Sequence, residues 1–189
     1  MANVDAPNGL TPVRHLTGGV VRTNEWKIAS GLSTAIFTGD CVKLLSTGYI
    51  DECDAGDRIL GVFAGCKYTN SSGEPIFSRQ WTASTATLGS ADVTAYVYDD
   101  PNIVFAVQSA GSADFADIGN LADIVATAGD TATGRSNHEV SGTTGTGTAG
   151  LRILGLYNEP KNAYGTNGVL ETVIWEHELS GHDQGTAGV

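Results

Sequence analysis

The 189-residue chain is poor in cations: 10 Lys and Arg stand against 21 Asp and Glu, a formal net charge of −11. Holding nucleic acid requires clustered positive charge, so this balance argues against such a partner. Cysteine is also scarce, with Cys41, Cys53 and Cys66 odd in number and lacking a CxxC pair. No disulfide framework follows, and buried free thiols are the simple expectation. No apolar run approaches the roughly 18 residues that cross a bilayer as a helix, so no membrane partner is expected. Residues 1–7 have neither a basic start nor an apolar segment, and the chain reads as made in the cytosol. Charged residues reach only 16%, and 25 glycines with abundant Thr, Ser and Ala fill the difference. Such a composition favours strands and turns over long helices.

Residues 1–13 set Pro7, Asn8-Gly9 and Pro12 around isolated Val4, Leu10 and Val13, a pattern that sustains neither a helix nor a central strand. An extended N-terminal arm is predicted. Its candidate partner-binding residues are Val4, Pro7, Leu10, Pro12 and Val13, which a neighbour's sheet edge and pockets could take up. Residues 14–180 read as one β-rich domain and residues 181–189 as a flexible C-terminal tail. Within the domain, Trp26 and Ile28 alternate with Glu25 and Lys27, and Val42 and Leu44 follow Gly39-Asp40. Runs 58–68 and 76–81 predict one hairpin, 93–98 and 103–108 a second around Asp99 to Asn102, and 151–157 with 169–178 a third.

At least eight strands are therefore expected. Residues 58–65 are apolar on both alternating faces, with Ile59, Gly61 and Phe63 on one and Leu60, Val62 and Ala64 on the other, as in a central sandwich strand. Ser112 is placed to cap a helix of one or two turns holding Phe115 and Ile118. Residues 128–150 contain six Gly and six Thr and offer almost nothing to bury, which predicts a long surface loop. The fold class that results is all-β: a single β-barrel or β-sandwich domain with the extended arm and the long Gly/Thr-rich loop.

No catalytic or cofactor signature survives its context. Gly145, Gly147 and Gly150 spell GxGxxG, but no buried strand leads in and the following segment is strand-like rather than helical. His177, Glu178 and His182 resemble a zinc-hydrolase pattern with one residue too many between the histidines and Gly181 interrupting; His15 or His138 would have to supply a remote third ligand. Neither a Walker lysine nor a GxSxG elbow occurs. The pairs Asp99-Asp100 and Asp51-Glu52 sit at predicted turns, and Asp114, Asp117, Asp123 and Asp130 lack calcium-loop spacing. Asn70-Ser71-Ser72 is a glycosylation acceptor by letters alone. Neither a metal, a cofactor nor an enzymatic activity is expected.

Several stretches together resemble the capsid decoration, or cement, proteins of tailed-bacteriophage heads: residues 1–10, 12–19, 39–44, 55–65 and 91–100, with Ala122-Asp123, residues 133–136 and residues 151–156. The resemblance spans most of the chain in loose patterns. It implies a small β-rich, non-enzymatic protein that binds the outer surface of an assembled head, cements neighbouring major capsid subunits and resists the pressure of packed DNA. It further implies self-association, as a homotrimer rather than a homodimer. No residue-level role carries over. Physical chemistry agrees at several points: the arm could lie along a neighbour, prolines lower the ordering cost of binding, and negative charge suits an outer shell that does not touch DNA. A different class of function is a receptor- or glycan-binding β-module using Trp26, Trp81, Tyr96, Tyr98 and Trp175 as stacking platforms.

Overall fold

In a computed structural model, residues 3–145 and 149–180 are described. The 181–189 tail, with His182, lies outside them, as do Thr146, Gly147 and Thr148 of the Gly/Thr-rich segment. Among the described residues the chain is all-β. Its strands are β1 (Thr11–His15), β2 (Asn24–Ile28), β3 (Ile36–Phe37), β4 (Cys41–Leu44), β5 (Ile50–Glu52), β6 (Gly61–Thr69), β7 (Pro75–Ser78), β8 (Gln80–Trp81), β9 (Val93–Tyr98), β10 (Ile103–Gln108), β11 (Ser112–Ala113), β12 (Leu121–Ala122), β13 (Ile124–Val125), β14 (Glu139–Val140), β15 (Leu151–Leu156), β16 (Gly165–Thr166) and β17 (Val169–Ile174). Two three-residue 3-10 turns complete the inventory.

Two large antiparallel sheets organise the chain. One runs β1-β10-β17-β15-β12; the other runs β2-β9-β6-β4-β5, with β7 also on β6. Neither closes into a barrel, so of the two expected architectures the sandwich-like one is found. A first core cluster lies between the large sheets, with Cys41 and Val62 from one and Phe105, Ile153 and Leu170 from the other. A second packs Val42, Phe63 and Val97, from the opposite face of the six-stranded sheet, against Ile36 and Trp81 of the β3–β8 ribbon. The six-stranded sheet is thus buried on both faces around β6.

The phase of β6 is set by a bulge between Phe63 and Gly65. Gly65 has φ +139°, and a Cβ there would meet the Ser78 carbonyl oxygen at 2.9 Å, so only glycine fits. The extra residue moves Cys66 onto the face of Phe63. The expected alternation also fails before the strand: Ile59 joins Val62 in the first cluster and Leu60 joins Phe63 in the second.

The first and third predicted hairpins are present as β6–β7 and β15–β17. The second is not. β9 pairs with β2 and β6 while β10 pairs with β1 and β17, so residues 99–102 carry the chain from one sheet to the other. The turn chemistry itself is sound, with Asp100 Oδ1 accepting from the Asn102 N–H at 2.9 Å. The reason for the different pairing is burial: all six residues of β10 are buried, and β1 and β17 flank it as ladder partners.

Two smaller expectations change. The turn at Phe115–Asp117 is capped by Asp114, and Ser112 belongs to β11. The segment expected to bury almost nothing contributes β14 and holds Ser136, His138 and Val140 entirely inside. Those three alternate with Arg135, Asn137 and Glu139, a strand-like period hidden by the surrounding glycines and threonines.

Candidate functional site

The N-terminal arm folds back onto its own domain. The Asn3 side chain donates to the carbonyls of Ala163 and Thr166 at 2.8 and 2.9 Å and accepts from the Ala163 N–H at 3.1 Å. Gln108 accepts from the Ala6 N–H at 3.0 Å and donates to Asp5 Oδ1 at 2.9 Å. Open clefts of about 260 and 350 Å³ run beside these contacts, so polar pins rather than close packing hold residues 3–8. Gly9, at φ +64°, then turns the chain so closely past Ser136 that an added Cβ would lie 2.4 Å from the serine Cβ. The Leu10 N–H donates to the Gly39 carbonyl at 2.9 Å, and its side chain enters the first core cluster.

These contacts divide the candidate partner-binding residues. Val4 points outward and is 77% exposed, and Pro7 is half-buried. Leu10 is 2% exposed, which corrects its assignment: it fills the chain's own core and offers no surface to a partner. Pro12 and Val13 belong to β1, so the sheet begins at Thr11 rather than after residue 13. Pro12 is tolerated because β1 is an edge strand with a register shift between Pro12 and Arg14. At the end of β1, His15 Nε2 meets Asp100 Oδ2 at 3.1 Å and ties the arm to the turn between the sheets.

A second constellation is buried. Asp40, between β3 and β4, Glu52 on β5 and His138 beside β14 bring ligand-type atoms within 4.8 Å of one another. His138 Nε2 lies 3.0 Å from Glu52 Oε1 and 3.4 Å from Asp40 Oδ1. Asp40 Oδ2 accepts from the Phe37 N–H at 2.6 Å, whereas Oδ1 has no hydrogen-bond partner. Burial pushes the Asp40 carboxyl up to about 6 against the opposing pull of His138. The donor set suits a borderline divalent cation, but the ring does not. His138 Nδ1 accepts from the Cys41 N–H at 3.3 Å, which leaves the imidazole proton on Nε2 facing the carboxylates. A metal-bound histidine donates from its other nitrogen, so this cluster is arranged to share a proton.

The other sequence candidates are engaged in structure. His177 is buried, its Nδ1 accepts from the Leu179 N–H at 3.0 Å, and burial pushes it down to about 4. Glu178 lies 3.7 Å from Arg58 Nη1. Asp99 accepts from Asn24 Nδ2 and Trp26 Nε1 at 2.7 and 2.9 Å. Asp51 and Glu52 occupy β5 rather than a turn. Asp114 and Asp117 close the capping box, and Asp130 accepts from the Ala132 N–H at 2.8 Å. Among the aromatics, Trp81 is fully buried, Arg152 stacks on Trp175 at 3.8 Å, Lys67 stands 5.4 Å from the Tyr96 ring, and Tyr96 and Tyr98 share β9, which pairs with the β2 strand of Trp26. The three cysteines are free and buried.

Sequence reasoning did not single out Asp40, Glu52 and His138 as a group. The only available signal was the polar Asp40 ahead of an apolar strand and the alternation around His138, and nothing local links the two. No helix among the described residues is long and apolar enough to cross a membrane. No family model matches the chain, and neither a curated protein nor a solved structure is similar to it.

Proposed function

We propose that this protein is a non-enzymatic structural protein that binds the outer surface of a tailed-phage head and cements neighbouring major capsid subunits. It is made in the host cytoplasm, works on the virion as a homotrimer, and contacts neither nucleic acid nor membrane. The observation that carries the reading is the arm: residues 3–8 belong to no strand, are pinned by a few side-chain hydrogen bonds beside open clefts, and expose Val4. A segment of this kind can exchange its intramolecular pins for a neighbour's sheet edge at low cost. Open sheet edges and the acidic balance of the chain support the same reading.

Deleting residues 1–8, which spares Leu10 and β1, tests it. Particles assembled with the shortened protein should carry fewer copies per head and release DNA at a lower temperature than particles with the full chain. Equal copy number and equal heat resistance would remove the arm from the mechanism. Full resistance of particles lacking the protein altogether would remove the reading itself.

A further inference from the structure

Most cations of the chain are already engaged. Arg14 meets Glu171 at 2.6 Å, Lys43 meets Asp57 at 2.6 Å, Arg58 lies near Glu178, and Lys67 meets Glu25 at 2.9 Å. Arg152 stacks on Trp175, and Lys27 donates to Thr94 at 2.9 Å. Arg22 and Lys161 are exposed without an ion pair, and so are Arg79 and Arg135: among the described residues neither of these two arginines forms an ion pair or a side-chain hydrogen bond. They nevertheless stand together, lining one cleft of about 290 Å³ with Asn8, Thr11, Thr38 and Tyr98, in which no Asp or Glu takes part.

Their placement is fixed by the backbone. The Thr38 N–H is shared between the carbonyls of Arg79 and Gly134, each at 3.1 Å, and the Thr38 hydroxyl donates to the Arg79 carbonyl at 2.6 Å. Thr38 also forms a parallel bridge with Arg135. The two arginine-bearing segments touch: a Cβ added to Gly134, at φ +72°, would lie 3.1 Å from Arg79 Cβ. Ala64, at the bulge of β6, and Asn8 of the arm also line the cleft. Two guanidinium groups on neighbouring segments, lining a cleft without an Asp or Glu, offer an anion charge-assisted hydrogen bonds from both sides.

We propose that this cleft binds carboxylate side chains presented by an acidic segment of a protein partner. Guanidinium forks match carboxylates in plane and in pairs, and in a chain of net charge −11 a cleft free of acids is the place where a negative segment can approach. The inference rests on the proposed function only for the source of that segment, a neighbouring subunit in the assembled head; the recognition chemistry stands without it.

The test uses the full chain and a fluorescein-labelled hexaglutamate peptide followed by fluorescence anisotropy at low salt. The wild-type protein should bind saturably, with affinity falling as salt rises from about 20 to about 200 mM. Arg79→Gln/Arg135→Gln should weaken binding by about ten-fold or more, while the charge-matched Arg22→Gln/Lys67→Gln stays within about two-fold. Near-UV circular dichroism confirms that both variants are folded. Absence of saturable binding, or equal loss in both variants, overturns the proposal. Inorganic phosphate that binds with hexaglutamate inert overturns the carboxylate assignment. Because this assay contains no particles, its failure leaves the capsid reading to be judged by the copy-number experiment alone.

Discussion

Fully buried His138 and Asp40 meet at 3.4 Å between Nε2 and Oδ1, and that oxygen has no hydrogen-bond partner. A carboxylate so placed holds its proton more tightly when folded than when unfolded, which is why burial raises it from 3.8 to about 6. The stability it contributes is complete below about pH 4 and is lost as pH rises through 6. The difference in unfolding free energy between wild type and Asp40→Asn should therefore shift against the wild type by roughly 2 kcal/mol between pH 4 and 7. Urea denaturation across that interval measures it, and parallel curves for the two proteins would refute it.

His177 has the opposite sign. Burial lowers its ordinary value of 6.5 to about 4, so the unfolded chain takes up the proton first. Its stability contribution is complete above about pH 6.5 and is lost as pH falls through 4. His177→Gln should show a shallower decline in melting temperature between pH 6.5 and 4 than the wild type, whatever its absolute stability. An identical acid limb would show that the ring is charged in the folded protein.

Leu10 and Val4, six residues apart on the same arm, should separate stability from assembly. Leu10→Ala removes a side chain that is 2% exposed in the inter-sheet core and should cost about 2–5 kcal/mol by chemical denaturation. Val4→Ala, at a side chain 77% exposed, should leave stability within about 0.5 kcal/mol while lowering the number of copies bound per particle. A stable Leu10→Ala protein would mean that the arm does not close the core in solution.

The thiols should be inert. Burial pushes Cys66 up to about 12 and also raises Cys41 and Cys53 well above the ordinary thiol range. At pH 8 the native protein should react with iodoacetamide roughly a thousand-fold more slowly than free cysteine, and all three thiols should label once denaturant is added. A thiol that labels quickly in the native state would contradict the packing of the segment that carries it.

Much of the fold was legible because strands announce themselves locally. The apolar runs around Phe63, Val97, Phe105 and Leu170 lie in strands, and the turn at Asn70 to Gly73 does close a hairpin. What local pattern does not encode is the choice of partner. The turn at Asp99 to Asn102 has the same residues whether it returns a strand beside itself or hands it to another sheet, and only the burial of both faces of β10 decides. The Asp40–Glu52–His138 cluster was illegible for a related reason: its members come from distant points of the chain, and the low-complexity surroundings of His138 read as solvent-facing. The prolines and isolated apolar residues of the arm did not signal that Leu10 would be inserted into its own domain or that Thr11 would open β1.

The pairing of Thr11 with Ala106, and of Phe105 with Thr172, has a consequence for how the molecule comes into being. While the ribosome is still adding residues, β1 has no ladder until β10 emerges, and β10 lacks its second neighbour until β17 follows. The five-stranded sheet therefore cannot be completed before β17 has emerged, and it forms on the slow timescale of topologies dominated by distant contacts. Newly made chains depend on avoiding aggregation during that interval, which a strongly negative sequence helps them do.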